Sequence, residues 1–240
     1  MNIKAGHLLF FIGLINLISI RVLAQEPDIE KSTFYFPHSY EINKAVKLVG
    51  LATAKLPEDV VETDDVIRAP LFSAELKYGL PENFVLYGGI TTNIVTYHFA
   101  LGGSWNYNFA RFGIAAGTDV AFWFGRLKQF GFNTSYTGWI MYPNVSIGYR
   151  FNKFSISLKS EAVLDLAETS KNGNIEVSDN GEFFNGLTFG IYLEQPLWKD
   201  NYVVIGARAT YLKFYYPMWA AFSTFDRKFY IPEFIFKFIL

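Results

Sequence analysis

The feature that most constrains this chain is an alternation of side-chain type with a period of two, repeated along most of its length. In residues 97–108, Tyr97, Phe99 and Trp105 fall on one face, whereas His98 and Ser104 fall on a second face of small and polar residues. Successive side chains of a β-strand point to opposite sides, so this period predicts strands with one apolar face and one small, polar face.

Ten segments follow this pattern, and the first of them is the weakest: residues 42–54, 66–79, 83–95, 97–108, 111–124, 139–151, 154–165, 183–195, 201–214 and 226–240. Connections near 79–83, 108–110, 151–153 and 195–201 are short, those at 55–65, 125–136, 167–182 and 215–225 are longer, and the link near 95–96 alone departs from this order. Tight turns at one end and long loops at the other are typical of membrane barrels. We therefore predict an all-β fold: a transmembrane, antiparallel, up-and-down β-barrel of about ten strands, within a range of eight to twelve, with both termini at the periplasmic end.

Turn geometry also predicts register. A two-residue hairpin loop at Phe151 and Asn152 would pair Arg150 with Lys153 and Asn144 with Lys159, which keeps the polar faces of both strands together. Pairing of Asn108 with Arg111 across the preceding short turn would bring Asp119 diagonally close to His98. These pairings are the local predictions that a structure tests directly.

The N-terminus has the form of a secretory signal peptide, with Lys4 before an apolar stretch at residues 8–20 and small residues ending at Ala24. That stretch is shorter than the ~20 residues of a membrane-spanning helix, which disfavours an uncleaved anchor. We expect cleavage near Ala24, a periplasmic N-terminal segment at residues 25–41 and a barrel at residues 42–240. The segment has two open readings, packing into the periplasmic mouth or docking on a partner.

Side-chain size indicates which face points outward. Residues are 51% hydrophobic and 19% aromatic, and the bulky ones gather on one face while glycine, alanine and serine crowd the other. A narrow barrel interior accommodates small residues, and aromatic side chains collect where a barrel exterior crosses the membrane interfaces. The apolar faces are therefore predicted to face lipid.

Two stretches carry a resemblance to a known class. In residues 230–240, Phe234, Phe236, Phe238 and Leu240 share one face and resemble the C-terminal signal of outer-membrane barrels, and residues 78–83 are similar to their periplasmic turns. The chain thus resembles the small outer-membrane β-barrel proteins of Gram-negative bacteria. The resemblance implies location in the bacterial outer membrane, contact with its lipid and lipopolysaccharide, and the barrel-assembly machinery as a partner during biogenesis.

Inward polar faces would place charges of both signs in the lumen. The candidates for lining it are Glu75, Lys77, His98, Asp119, Arg150, Lys159, Glu161, Asp165, Glu194 and Arg208, with Lys47, Glu233 and Lys237 beside them. Buried charges are costly unless they are paired, whereas an aqueous pore would leave them solvated. A structural role with a paired network and a narrow pore for small solutes both remain open.

Other function classes have weaker support. An outer-membrane hydrolase would use His98, but Ser104 lies six residues away, or ~20 Å along a strand, so no catalytic residue is assigned. An envelope binding or assembly component would act through the outer loops or the N-terminal segment.

The composition narrows the remaining classes. The chain has no cysteine, and it has no phosphate-binding loop or metal-ligand motif, so we expect no cofactor and no metal. Without Lys4 and Arg21 the mature net charge is 19 − 22 = −3, which gives no support to a nucleic-acid partner. Acidic loop residues, among them Asp59, Glu62, Asp64, Asp65, Asp179 and Glu182, are expected to be solvated.

Overall fold

The structure is a computed structural model that describes residues 33–61, 67–128, 133–172, 175–177, 182–198, 201–219 and 227–240. The signal-peptide prediction lies outside these residues. Within them the barrel is built from ten strands: β1 Ala45–Lys55, β2 Arg68–Gly79, β3 Phe84–Thr92, β4 Thr96–Phe109, β5 Phe112–Leu127, β6 Thr134–Arg150, β7 Ser155–Asn172, β9 Phe184–Pro196, β10 Tyr202–Leu212 and β11 Phe229–Ile239. The three-residue strand β8, Ile175–Val177, extends the end of β7.

All pairings between neighbouring strands are antiparallel, and the sheet closes on itself. Strands follow one another around the barrel in chain order; β1 pairs with β11, and β6 pairs with β7. Closure leaves no free edge among the ten strands, so the backbone polar groups of every strand can pair with a neighbouring strand on both sides. The predicted closed, up-and-down barrel of ten strands is confirmed.

The two ends of the barrel differ as the loop lengths indicate. One end, which we call the periplasmic end after the prediction, carries the short turns after β2, β4, β6 and β9 together with the two ends of the barrel sequence. The other end, called the outer end, carries the longer connections after β1, β5, β7 and β10 and the three-residue link between β3 and β4. β6 and β7 extend past the predicted segments toward the outer end, and their register shifts between Trp139 and Ile140. Among the described residues, no helix is long and apolar enough to cross a membrane.

Both local register predictions are wrong by two residues. Residues 151–154 form the turn, so Arg150 pairs with Ser155 and Asn144 with Glu161 rather than with Lys159. After β4 the turn pairs Phe109 with Phe112, which places Trp123 rather than Asp119 beside His98. A shift of two leaves every side chain on its original face, because the strand period is two, and the facing pattern therefore survives.

The exterior of the barrel is apolar and aromatic, as predicted. Large apolar side chains face outward on the strands, including Phe99, Trp105, Trp139, Phe189 and Phe234. Trp123 is fully buried inside the barrel. It falls on the small, polar face of its strand, and that face points inward as predicted.

The inward assignment of Lys47 is wrong. Val46 and Leu48 are buried on the inner face of β1, whereas Lys47 is exposed on the outer face near the periplasmic end. The weak pattern of the first segment arises because both faces of β1 carry apolar residues.

Candidate functional site: a closed lumen

The residues that precede β1 lie inside the barrel. Phe34 and Phe36 are 1% exposed, and Tyr40 is buried beside them at the periplasmic end of the lumen. Phe34 packs in one cluster with inward residues of several strands, among them Leu48 and Ile235. Of the two readings of this segment, packing into the periplasmic mouth is the arrangement of residues 33–40, which we call the plug.

One carboxylate holds the plug. Glu194 on β9 is fully buried, and its Oε1 accepts hydrogen bonds from the backbone N–H groups of Phe34 at 2.6 Å and Tyr35 at 3.0 Å. Its Oε2 accepts from the N–H of Phe36 at 2.6 Å. Three donors on one carboxylate replace the water that a buried charge has lost, and hydrogen bonds to a charged group are stronger than neutral ones.

The inner face of the barrel leaves room for the plug. Gly113 on β5 and Gly148 on β6 are register partners. A Cβ atom at Gly113 would overlap the Pro37 carbonyl oxygen, and one at Gly148 would lie 2.6 Å from the ring of Phe36. Only glycine permits this close approach, so the small residues on this face are a seat for the plug.

Cationic side chains add further contacts to the plug. Lys77 Nζ donates to the Phe34 carbonyl oxygen at 2.7 Å, and the guanidinium of Arg150 lies 4.4 Å from the ring centre of Phe36. Asn106 donates to the His38 carbonyl oxygen at 3.1 Å.

His38 itself is a titratable group of the plug. Burial lowers the pKa of His38 from 6.5 to about 3, and the nearby charges of Lys77, Arg150 and Lys44 act in the same direction. A hydrogen bond between the His38 ring and the Phe36 carbonyl oxygen opposes this shift. The plug therefore docks with a neutral imidazole at neutral pH.

Above the plug lies a chamber of about 130 Å³ lined by charged and tyrosine side chains. Its charges are largely paired: Glu75 with Lys237, Arg208 with Glu233, and Lys159 with Glu161 at 2.7 Å. Asp119 also lines the chamber and accepts a hydrogen bond from Asn144 at 3.3 Å. Buried charges in a low-dielectric interior require partners of opposite sign. The three ion pairs therefore favour a structural network of paired charges.

A second segment lines the outer side of the chamber. Tyr215 and Trp219, in the connection after β10, are buried, and Tyr216 between them stacks on His98 with ring centres 4.5 Å apart. Trp123 and Tyr136 pack against the same segment from β5 and β6. We call residues 215–219 the outer cap.

All ten predicted lumen residues point inward, but they form three groups. Lys77, Arg150 and Glu194 contact the plug. The chamber is lined by Glu75, Asp119, Lys159, Glu161 and Arg208. His98 contacts the outer cap, and Asp165 lies on β7 nearer the outer end, where its Oδ1 has no hydrogen-bond partner among the described residues. Sequence reasoning missed the outer cap and the docking of residues 33–40 onto Glu194.

The predicted proximity of His98 and Asp119 is wrong, because the register places Asp119 opposite Gly102, four residues from His98. His98 is hydrogen-bonded to the Tyr142 hydroxyl at 3.1 Å, and Ser104 donates to Asn106 at 2.9 Å. The His98 ring also contacts the rings of Tyr142 and Tyr216.

The acidic loop residues are only partly described. Asp59 forms an exposed ion pair with Arg227 at 2.7 Å, whereas Glu62, Asp64, Asp65 and Asp179 lie outside the described residues. Across the part of the chain that the structure covers, no group of three or more His, Asp or Glu side chains is arranged to hold a metal ion.

Comparison with known proteins finds solved structures that are similar at low identity and with low TM-scores. No protein-family model matches the chain, and no curated protein matches it. Among solved structures, outer membrane phospholipase A from Escherichia coli is 14% identical, with a TM-score of 0.38 and coverage of 85% of this chain and 97% of that one. Ail, the attachment invasion locus protein of Yersinia pestis, is 12% identical, with a TM-score of 0.28 and coverage of 83% and 98%.

A larger protein is also similar in part. CdiB from Acinetobacter baumannii is 11% identical over 71% of this chain, with a TM-score of 0.33, and the chain spans 32% of its length. None of these likenesses assigns a role.

The architecture itself is diagnostic of the class. A closed antiparallel barrel satisfies its backbone hydrogen bonds internally, which hydrocarbon demands. Its outward side chains are apolar and aromatic, while its charges lie inside or at the rims. The protein has the architecture of a small bacterial outer-membrane β-barrel protein.

Proposed function

We propose that this protein is an integral outer-membrane barrel whose lumen is closed at rest, so that its role in the envelope is structural rather than that of an open pore. The observation that carries the proposal is the coordination of the buried Glu194 carboxylate by three backbone N–H groups of the plug. A pore-lining carboxylate in water would have no need of such donors.

The location is part of the proposal. The predicted signal peptide and the aromatic exterior both support insertion into the outer membrane. Membrane fractionation and a denaturing gel of unheated and boiled samples test it. Recovery in the outer-membrane fraction with a mobility that changes on boiling is expected, and a soluble periplasmic protein without such a change would refute it.

Conductance tests the closed lumen. The mature protein, refolded and inserted into a planar bilayer, is expected to give no steady ion current. Frequent, stable current steps from protein that shows the folded gel mobility would overturn the proposal.

A narrow, gated pore is the second candidate, and the position of Asp119 in the chamber is the observation that favours it. Charges of both signs line a cavity at the centre of the lumen, and Asp119 there is the carboxylate with no ion-pair partner among the described residues. If the pore opens, Asp119→Asn should reduce selectivity for cations relative to anions. Unchanged ion selectivity of open channels in this variant would exclude a conducting path past Asp119.

A further inference from the structure

Two β-bulges lie side by side in neighbouring strands near the outer end of the barrel. In β7, Leu166 has no register partner on β6, although the residues on both sides of it pair with consecutive residues of that strand. In β9, Asn185 is left without a register partner on β7 in the same way. A bulge redirects the side chains beside it, and bulges are common next to functional sites. The side chains at these two bulges are therefore candidates for a binding site.

The bulge in β7 brings two carboxylates together on the inner face. Residues three apart on a regular strand face opposite sides, but the extra residue turns Asp165 and Glu168 to the same side and leaves Leu166 exposed outside. The two carboxyl groups lie close enough to interact directly. Asp165 is 9% exposed, and its Oδ1 and the Oε1 of Glu168 are buried without a hydrogen-bond partner in the described part of the chain.

This pair differs from the other carboxylates of the lumen in its lack of a counter-charge. Glu75, Glu161 and Glu233 each form an ion pair in the chamber, whereas Asp165 and Glu168 form none with any residue that the structure describes. Two adjacent negative charges in a low-dielectric interior are costly unless they are neutralised. A proton shared between them would cancel one charge, whereas a divalent cation would cancel both.

The remaining contacts leave one oxygen of each carboxylate available to a ligand. Glu168 Oε2 accepts a hydrogen bond from the Tyr136 hydroxyl at 2.6 Å, and the side chain of Asn185 interacts with Asp165. Hard divalent cations take oxygen ligands, and Mg²⁺ is commonly held by one or two carboxylates while it keeps several waters. The two free oxygens are a ligand set of this kind.

Both carboxylates are also connected to the segment that leads into the outer cap. Asn185 Oδ1 accepts hydrogen bonds from the backbone N–H groups of Lys213 at 3.0 Å and Phe214 at 2.9 Å, and its Nδ2 donates to the Phe214 carbonyl oxygen at 3.0 Å. The ring of Tyr136 packs on the ring of Trp219, with centres 5.7 Å apart. A cation held by the pair would therefore stabilise the cap through Asn185 and Tyr136.

We propose that Asp165 and Glu168 bind a divalent cation, Mg²⁺ or Ca²⁺, between Asp165 Oδ1 and Glu168 Oε1, and that the bound cation holds the outer cap in place. The site is separate from the plug and from the ion pairs of the chamber. It goes beyond the function proposed above, because a cation can bind here whether or not the lumen conducts.

The first test measures cation binding to the folded, mature protein in detergent micelles after removal of metal with EDTA. Terbium(III) serves as the probe, because it binds oxygen ligands and emits when a nearby aromatic ring is excited. Tyr136 contacts Glu168, and Trp123 stacks on Tyr136 with ring centres 4.9 Å apart. We expect sensitised terbium emission that Mg²⁺ or Ca²⁺ removes and that NaCl of equal ionic strength does not.

Amide exchange tests the effect on the cap. The N–H of Phe214 is bonded to Asn185, so it exchanges when this connection opens. If opening releases the cation, exchange should slow about 100-fold at a Mg²⁺ or Ca²⁺ concentration of 100 times the Kd.

The decisive variant is Asp165→Asn combined with Glu168→Gln, which keeps the side-chain shapes and removes both charges. Without metal it should unfold at the same temperature as the wild-type protein or a higher one, because the repulsion is gone. It should show neither the sensitised emission nor the slower exchange. The matched control is Glu58→Gln combined with Asp59→Asn, which removes two exposed carboxylates at the outer end and should retain both responses.

A single variant keeps the test decisive if the double variant does not fold. Glu168→Gln removes one of the two ligands and should weaken cation affinity by more than about tenfold. No response of the wild-type protein to either cation at neutral pH would overturn the proposal and assign the pair a shared proton. An unchanged response in the variants of the pair, or its loss in the surface control, would also overturn it. Folded gel mobility establishes that each barrel is intact, and these readouts are independent of conductance and of cell fractionation.

Discussion

Replacement of Glu194 by glutamine removes the charge at the centre of the plug seat and leaves the side-chain shape unchanged. Three backbone N–H groups donate to this carboxylate, two of them at 2.6 Å. A hydrogen bond to a charged group contributes ~1.5–3 kcal/mol and a neutral one ~1 kcal/mol. The glutamine oxygen can accept from one or two of the donors, while its NH₂ group faces a third N–H. We expect the free energy of plug docking to fall by about 3 to 5 kcal/mol.

Hydrogen exchange measures that free energy without an added probe. The amides of Phe34 and Phe36 exchange only when the plug leaves its seat, because both residues are buried and bonded to Glu194. Their protection in a peptide spanning residues 33–40 should decrease about 10²- to 10⁴-fold in Glu194→Gln. Amides in the middle of β4 should keep their protection, since the barrel itself remains closed.

A matched control distinguishes the anchor from any loss of interior charge. Glu233 is equally buried but is bonded to Arg208 and Tyr215 rather than to the plug. Glu233→Gln should therefore leave protection of the Phe34 amide near its wild-type value. Similar exchange at Phe34 in the Glu194→Gln and wild-type proteins would refute the reasoning, and so would an equal increase in both variants.

Three further predictions concern the same interior. Because the pKa of His38 falls from 6.5 to about 3 on docking, the undocked plug binds more protons between these values; docking is fully stable above pH 6.5 and should weaken by about 2 kcal/mol at pH 5. Hydrogen exchange corrected for intrinsic rates checks this, and His38→Gln should abolish the dependence. Gly113→Ala should expel the plug and raise exchange of its amides, whereas Gly88→Ala, where a Cβ meets nothing within 4 Å, should not. Glu233→Gln leaves the half-buried Arg208 guanidinium without its charged partner, so the unfolding free energy should fall by ~1.5–3 kcal/mol, seen as loss of the folded gel band at a lower temperature.

The sequence predicts the barrel because the facing pattern is local. The period-two alternation within each strand indicates which of its side chains face inward and which face outward, and that pattern does not depend on which residue lies opposite on the next strand. Register depends on turn geometry, and turns of two and four residues keep the same faces inward. The pairing of Asn144 with Glu161 could therefore not be distinguished from its pairing with Lys159 by polarity alone.

The residues of the plug alternate in the same way as the strands do, so the sequence pattern does not distinguish the plug from a strand. Phe34, Phe36, His38 and Tyr40 alternate with a period of two, like the strands, although the segment pairs with none of them in the described structure. Small residues on the inner face fit any narrow lumen, so their pattern alone does not reveal that Gly113 and Gly148 form the seat of the plug. Glu194 could not be singled out, since nothing local distinguishes a carboxylate that binds backbone amides from one that pairs with a lysine.

If the lumen is closed as proposed, the plug and the outer cap block it in series. The plug occupies the periplasmic side and the outer cap the other, with the chamber of about 130 Å³ between them. Because current needs a continuous path, Glu194→Gln alone should raise exchange of the plug amides without giving conductance. Tyr216→Ala alone, which removes the ring stacked on His98, should also give none, whereas the double variant should conduct. A single variant that conducts as well as the double variant would show that one of the two segments does not close the lumen.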